Sequence, residues 1–315
     1  WLAAWQEHTG GSFRNGANIR VVRSTDNGAT WSDSILVTTD GGPKTGCHQR
    51  PELANDGVGN WVAVWGLDGG CMFEPSGADK EILVAHSSDS GMNWSDPVQI
   101  SATAPAEVLG DNWPHVTTDR FGHWVVVWHS DEDPTGVTGA DTEILLVHSH
   151  DNGVNWSAPV PLNTNAPTDS GNDVLARIVT DEAGNWLVSW SSFNVVPLLS
   201  PILGISTDLD ILVARSSDGG ATWTDPAALN NNAESDNGRD FWPALASDSA
   251  GHWVAVWTGN DDFDGIGTDD DILVARSSNN GATWTDPIPL NTKAAFDTGD
   301  DRGPGVADDQ KHLIF

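Results

Sequence analysis

Tyrosine is absent from this chain of 315 residues, lysine occurs four times, and cysteine and methionine twice each. Each scarcity excludes something. Without tyrosine there is no phenolate to act as a nucleophile. The 14 Lys and Arg stand against 45 Asp and Glu, a formal net charge of −31, which excludes a phosphate-backbone binder because nucleic-acid proteins need a basic footprint. The two cysteines, Cys47 and Cys71, permit one loop-stapling disulfide, and no His/Cys cluster has zinc or redox spacing. No apolar run approaches the length of a membrane span. The chain opens on WLAAW, a core-type strand without the basic start of a leader, and both ends fall inside a repeat, so flanking sequence is expected to be lost or processed.

What is present is a repeat. STDNGATWSD (24–33), SSDSGMNWSD (87–96), SHDNGVNWSA (149–158), SSDGGATWTD (216–225) and SSNNGATWTD (277–286) recur every 61 to 67 residues. Each copy sits in the same order of parts: a first segment such as RPELAND (50–56), then GNWVAVW (59–65), an acidic loop, EILVAHS (81–87), the box, and DPVQI (96–100). The apolar runs are four to six residues long, rich in Val, Ile, Leu and Trp, and bounded by Gly, Asp, Asn and Pro, which reads as strands. Four short antiparallel strands per repeat make a β-propeller blade. Ten of the 17 tryptophans form i, i+4 pairs (Trp1/Trp5, Trp61/Trp65, Trp124/Trp128, Trp186/Trp190, Trp253/Trp257), each on one face of a strand. Five more (Trp31, Trp94, Trp156, Trp223, Trp284) close the boxes. Trp113 and Trp242, each directly before a proline, are left over.

The S-x-D-x-G-x-T/N-W pattern, once per four-stranded unit over essentially the whole chain, resembles the Asp-box or bacterial neuraminidase repeat of the sialidase-like propellers. The resemblance implies an all-β propeller as a single domain over 1–315, with six blades, or five if the chain ends pair. It also implies that the box hairpin joins third and fourth strands on the face opposite the ligand site. Asp26, Asp89, Asp151, Asp218 and Asn279 are then structural. A carboxylate there accepts backbone N–H groups across the turn, and Asn279 serves a turn where it would not serve repeated catalysis. Sialidases use a tyrosine–glutamate nucleophile pair, so ordinary sialidase chemistry is not expected of a chain without tyrosine.

Ligand chemistry is expected instead at the ends of the first strands, where the repeat stops being monotonous: Arg50-Pro-Glu52, Trp113-Pro-His115, Leu175-Ala-Arg177, Trp242-Pro-Ala244 and Gly303-Pro-Gly305. Strand alternation places the residues on either side of the central Pro or Ala on one face. Trp113 and Trp242 would stack on sugar rings, with Arg50, Arg177, Arg239 and Arg302 as anion clamps. Glu52 and His115 are the titratable pair, and two-acid hydrolysis would set Glu52 beside a loop carboxylate such as Asp111, Asp173 or Asp240. The same residues also suit a channel ion pair with the tryptophans plugging its end. No cofactor is required; Asp262, Asp264, Asp269 and Asp271 offer hard oxygen ligands for a possible Ca²⁺, and solvated acidic loops are the alternative. These features point to a secreted or cell-surface propeller that binds a glycan or polysaccharide. A carboxylate-dependent glycoside hydrolase and a structural or adhesive propeller remain open beside it.

Overall fold

The structure, a computed structural model, describes residues 1–8, 16–38, 46–69, 80–101, 110–131, 141–164, 166, 171–193, 209–230, 233, 238–260, 265–291, 294 and 299–307. Every regular element is a β-strand. The chain starts with β1 (Leu2–His8), β2 (Ala17–Arg23) and β3 (Ile35–Leu36), an antiparallel three-stranded set. Four complete sets follow: β4 (Cys47–Asn55), β5 (Trp61–Asp68), β6 (Lys80–Ser87) and β7 (Val98–Gln99); β8 (Asn112–Thr118), β9 (Trp124–Ser130), β10 (Glu143–Ser149) and β11 (Val160–Pro161); β12 (Asp173–Thr180), β13 (Trp186–Phe193), β14 (Leu209–Ser216) and β15 (Ala227–Ala228); β16 (Phe241–Ser247), β17 (Trp253–Gly259), β18 (Asp271–Ser277) and β19 (Ile288–Pro289). Within each set the strands pair in chain order and antiparallel. This is the blade of a β-propeller, as the repeat predicts. One parallel pair, Ala17 with Cys47, joins the first set to the second. The outermost strands of the four complete sets are two residues long and carry or adjoin prolines, which blunts an edge that would otherwise recruit another strand.

The chain divides into two compact units, the first Trp1–Thr135 with Leu145–Val160, the second Gly136–Ile144 with Pro161–Phe315. Each has its own tryptophan-rich core. In the first unit Trp124, Val126 and Trp128 of β9 pack with Val62 and Val64 of β5 and Leu145 and Val147 of β10. In the second, Trp253, Ala255 and Trp257 of β17 pack with Leu187, Ile211 and Val213 of β13 and β14. Seven of the paired tryptophans are at most 1% exposed. Each such indole removes about 150–250 Å² from water, worth roughly 4–6 kcal/mol as an upper bound. Trp1 and Trp5 depart from the pattern at 52% and 38% exposed. They stand on the face of β1 opposite Ala4, and it is Ala4 that packs towards Ala63 and Trp65.

In the four complete sets the boxes join third to fourth strands, as expected, the first box joins β2 to β3, and all five share one wiring. In the first, Ser24 Oγ donates to Asp26 Oδ1 (2.8 Å) and accepts the N–H of Gly28 (2.9 Å), while Asp26 accepts from the Thr30 N–H (2.8 Å) and hydroxyl (2.5 Å). Asn279 keeps the geometry with one bond reversed: its Oδ1 accepts the Thr283 N–H at 3.0 Å, and its Nδ2 donates to Thr283 Oγ1 at 2.9 Å. A second repeated acid turn, absent from the motif reading, closes each first-to-second-strand hairpin. There Asp56, Asp119, Asp181 and Asp248 accept backbone N–H groups two and four residues on. These bonds place carboxylates where a tight turn leaves donors without a backbone acceptor.

The hydroxyls of Thr30 and Thr222, then their N–H groups, hold Asp26 and Asp218 at about 2 against an ordinary 3.8. A depressed carboxylate stabilises the fold fully above its unfolded pKa and loses that contribution as pH falls through the folded one. Thermal stability is therefore expected to drop between about pH 4 and pH 2. Asp218→Asn, which copies the box of Asn279, should flatten that part of the melting-temperature profile; parallel profiles for the two proteins would refute it.

Candidate functional site

Proline inside a paired strand cannot donate to the ladder, and the first strands answer this with a bulge. In β4 the register runs Gln49 opposite Gly66 and then Glu52 opposite Val64, so Arg50 and Pro51 together face Trp65. The same step separates Asn112 from His115, Val174 from Arg177 and Phe241 from Ala244. The residue that opens each bulge has left-handed backbone: Arg50 at φ 55°, Trp113 at 53°, Leu175 at 61° and Trp242 at 57°, with Gly303 at 67° before Pro304. Outside glycine such a conformation costs about 1–3 kcal/mol and persists only where the surroundings over-determine it. This corrects the expected alternation. Glu52 shares its sheet face with Gln49, and His115 with Asn112, while Arg50 and Trp113 are turned out by the bulge.

Opposite every bulge stands the second tryptophan of a pair, and in three blades its indole N–H ties the start of the first strand, whereas Trp190 Nε1, opposite the bulge of β12, is buried without a hydrogen-bond partner among the described residues. Trp65 donates to His48 Nδ1 (2.8 Å), Trp128 to Asp111 Oδ1 (2.6 Å) and Trp257 to Asp240 Oδ1 (2.8 Å). Asp240 is 1% exposed, and its other oxygen accepts from Asn230 Nδ2 at 2.8 Å. Asn163 and Asn291 likewise donate to Asp173 (3.0 Å) and Asp301 (2.9 Å). The residue offered as a hydrolytic carboxylate thus has both oxygens committed to the scaffold. The repeat itself carried the signal, since Asp111, Asp173, Asp240 and Asp301 occupy one position in four units, the monotony that marks the boxes as structural.

In the first unit, Gln49, Arg50, Asp111, Asn112, Trp113 and Pro114 surround a shallow cleft of about 10 Å³. The Arg50 guanidinium lies 3.6 Å from the centroid of the Trp113 ring, and burial pushes its pKa down. Glu52 and His115, both half-buried, are not part of this lining. In the second unit a cleft of about 170 Å³ opens between Leu175, Arg177, Trp242, Pro243, Ala244, Gly303 and Pro304. Trp242 is 41% exposed, with Phe241 edge-on at 4.8 Å. Of the other expected anion clamps, Arg302 is ion-paired to Asp270 through Nε and to Asp300 at 2.9 Å. Arg239 is exposed and lies outside the cleft lining.

Asp262 and Asp264 fall outside the described residues. Asp271 accepts from Asn291 Nδ2 at 2.8 Å, and Asp269 is half-buried on the loop before β18. Among the described residues no group of three or more His, Cys, Asp or Glu is placed to hold a metal ion. Cys47 is disulfide-bonded; Cys71, the other cysteine in the sequence, lies outside the described residues.

The BNR repeat-like domain model matches residues 76–298, more than two thirds of the chain. The chain belongs to the BNR repeat-like family. Among solved structures this BNR repeat-like chain is similar to a Hadza microbial sialidase (TM-score 0.55, 18% identity, 92% of this chain and 56% of that one). It is similar also to a protein of unknown function from Dyadobacter fermentans (0.54, 16%, 78% and 70%). A leech intramolecular trans-sialidase, solved in complex with 2,7-anhydro-Neu5Ac, follows (0.52, 13%, 92% and 59%). The chain therefore spans a little over half the length of the sialidases it matches, and at these identities the likeness shows the β-propeller fold. A search of curated proteins finds no match.

Asp240→Ala should destabilise the second unit by roughly 2–5 kcal/mol, because it leaves the Trp257 and Asn230 N–H groups buried without acceptors. Urea denaturation measures this. A variant as stable as the parent would return Asp240 to the list of reactive groups.

Proposed function

We propose that this BNR repeat-like propeller binds carbohydrate, without the turnover of a sialidase, through the cleft of its second unit. The observation that carries the reading is the Trp242 ring, 41% exposed beside a cleft of about 170 Å³ with Arg177 as the one charged residue among the described residues of its lining. An exposed indole held rigidly by backbone offers an apolar face to the C–H face of a sugar and loses little entropy on binding. An apolar cavity of about 150 Å³ accommodates benzene, so the cleft suits one sugar ring, with Arg177 reaching hydroxyl or carboxylate oxygens.

Binding is favoured over hydrolysis because no carboxylate is among the described residues lining this cleft, and the neighbouring Asp240 and Asp301 are engaged by Asn230 and Asn291. The sequence adds the missing tyrosine. The similarity in fold to sialidases and the family match are consistent with a glycan ligand. A disulfide at Cys47 supports an oxidising, extracytoplasmic location.

A glycan array followed by calorimetry tests the reading. Trp242→Ala should weaken binding of the array hit about tenfold, in line with the stacking and area it removes. An array without ligand, or unchanged affinity in the variant, would remove the proposal. Release of reducing sugar from a chromogenic panel would replace it with a hydrolase.

A further inference from the structure

Trp113 and Trp242 occupy the same bulge position in two blades. Both are in left-handed backbone, at φ 53° and 57°, and both keep more than a third of their surface exposed. What differs is the bulge residue of the preceding blade. Beside Trp242 it is Leu175, and the cleft there is open at about 170 Å³. Beside Trp113 it is Arg50, whose guanidinium lies on the indole ring 3.6 Å from its centroid, and the small cleft there is lined by Gln49, Gly66, Leu67, Asp111 and Asn112 as well as Arg50, Trp113 and Pro114. No carboxylate among the described residues pairs with Arg50, so the ring is its main contact. An arginine serving as an anion anchor projects its fork towards the ligand; this one covers the surface a ligand would stack on.

We infer that Arg50 is a displaceable lid over a second sugar-stacking subsite built on Trp113 in the first unit. The inference rests on the carbohydrate reading of the Trp242 cleft and assigns a further site to the same chemistry. Cation–π contact at a partly exposed site is weak enough to be displaced by a competing ring, and the cost of displacing it appears as a loss of affinity. Replacing the lid by the residue that occupies its position in the second unit should therefore improve sugar binding at Trp113 about fivefold, the factor that a contact of this kind corresponds to.

The test uses the full chain labelled with 5-fluorotryptophan, with fluorine resonances assigned by Trp113→Phe and Trp242→Phe. Parent and Arg50→Leu are titrated with methyl β-D-glucopyranoside and methyl β-D-galactopyranoside. The remaining tryptophan signals report whether the variant is folded, and Arg50→Gln is the second variant should Arg50→Leu fail to fold. The lid predicts that the Trp113 resonance moves on substitution alone and then responds to sugar at about one fifth of the parent's concentration. A Trp113 response equal to or weaker than the parent's would overturn the lid and make Arg50 a ligand contact or a bystander. Response at Trp242 alone, in both proteins, would overturn the lid and leave the carbohydrate reading standing. Response at neither tryptophan in either protein would overturn both.

Discussion

The presentation of side chains at the clefts depends on one backbone constraint, the bulge in the first strand of each blade. Two residues must fit opposite one tryptophan, and the second of them is proline at Pro51, Pro114 and Pro243. Proline has no N–H to waste and fixes its own φ, so the ladder loses no donor where it breaks. The residue before it is pushed into left-handed backbone and its side chain leaves the plane of alternation. The indole bond from Trp65, Trp128 or Trp257 to the start of the same strand clamps the distortion from the other side. Strain at a bulky residue is thus repeated, and the varied residues of the chain, Arg50, Trp113, Leu175 and Trp242, are the ones it turns outwards.

The acidity of the chain has a related explanation. Most boxes and first-to-second-strand hairpins are closed by a carboxylate that gathers backbone N–H groups, with Asn279 in the last box. Asp111, Asp173, Asp240 and Asp301 at the starts of first strands receive an indole or asparagine N–H, where β4 has His48. Aspartate suits these tasks because its short side chain reaches donors two to four residues away. Much of the net charge of −31 is therefore spent on turns.

The repeat was legible because it is monotonous. Boxes with a fixed Ser-x-Asp-x-Gly spacing and tryptophans at i, i+4 specify strands, hairpins and buried faces by local rules, and the four-stranded sets follow them strand for strand. The site was legible in part. Trp113 and Trp242 stood out by being unpaired, and each does line a cleft. Arg177 joins Trp242, and Arg50 joins Trp113, although as a cover on the ring. Glu52 and His115 were placed by simple alternation, which the bulge breaks. The X-Pro step in a paired strand was the available signal for that. Asp111, Asp173 and Asp240 read as loop acids free for hydrolysis, and their recurrence at one position of the repeat, with Asp301, is the sign of a structural place.

The sequence by itself determined the all-β class, the repeated blade, the structural nature of the boxes and the absence of tyrosine chemistry. Those features are local and periodic, so each repeat states them again. The tertiary structure decided which first-strand residues meet. Whether the exposed ring carries a guanidinium, as Trp113 does, or stands beside an open cleft, as Trp242 does, depends on a residue more than sixty positions earlier, Arg50 or Leu175, brought alongside by blade packing. No periodic rule within one strand carries that information, because the contact lies between neighbouring sheets.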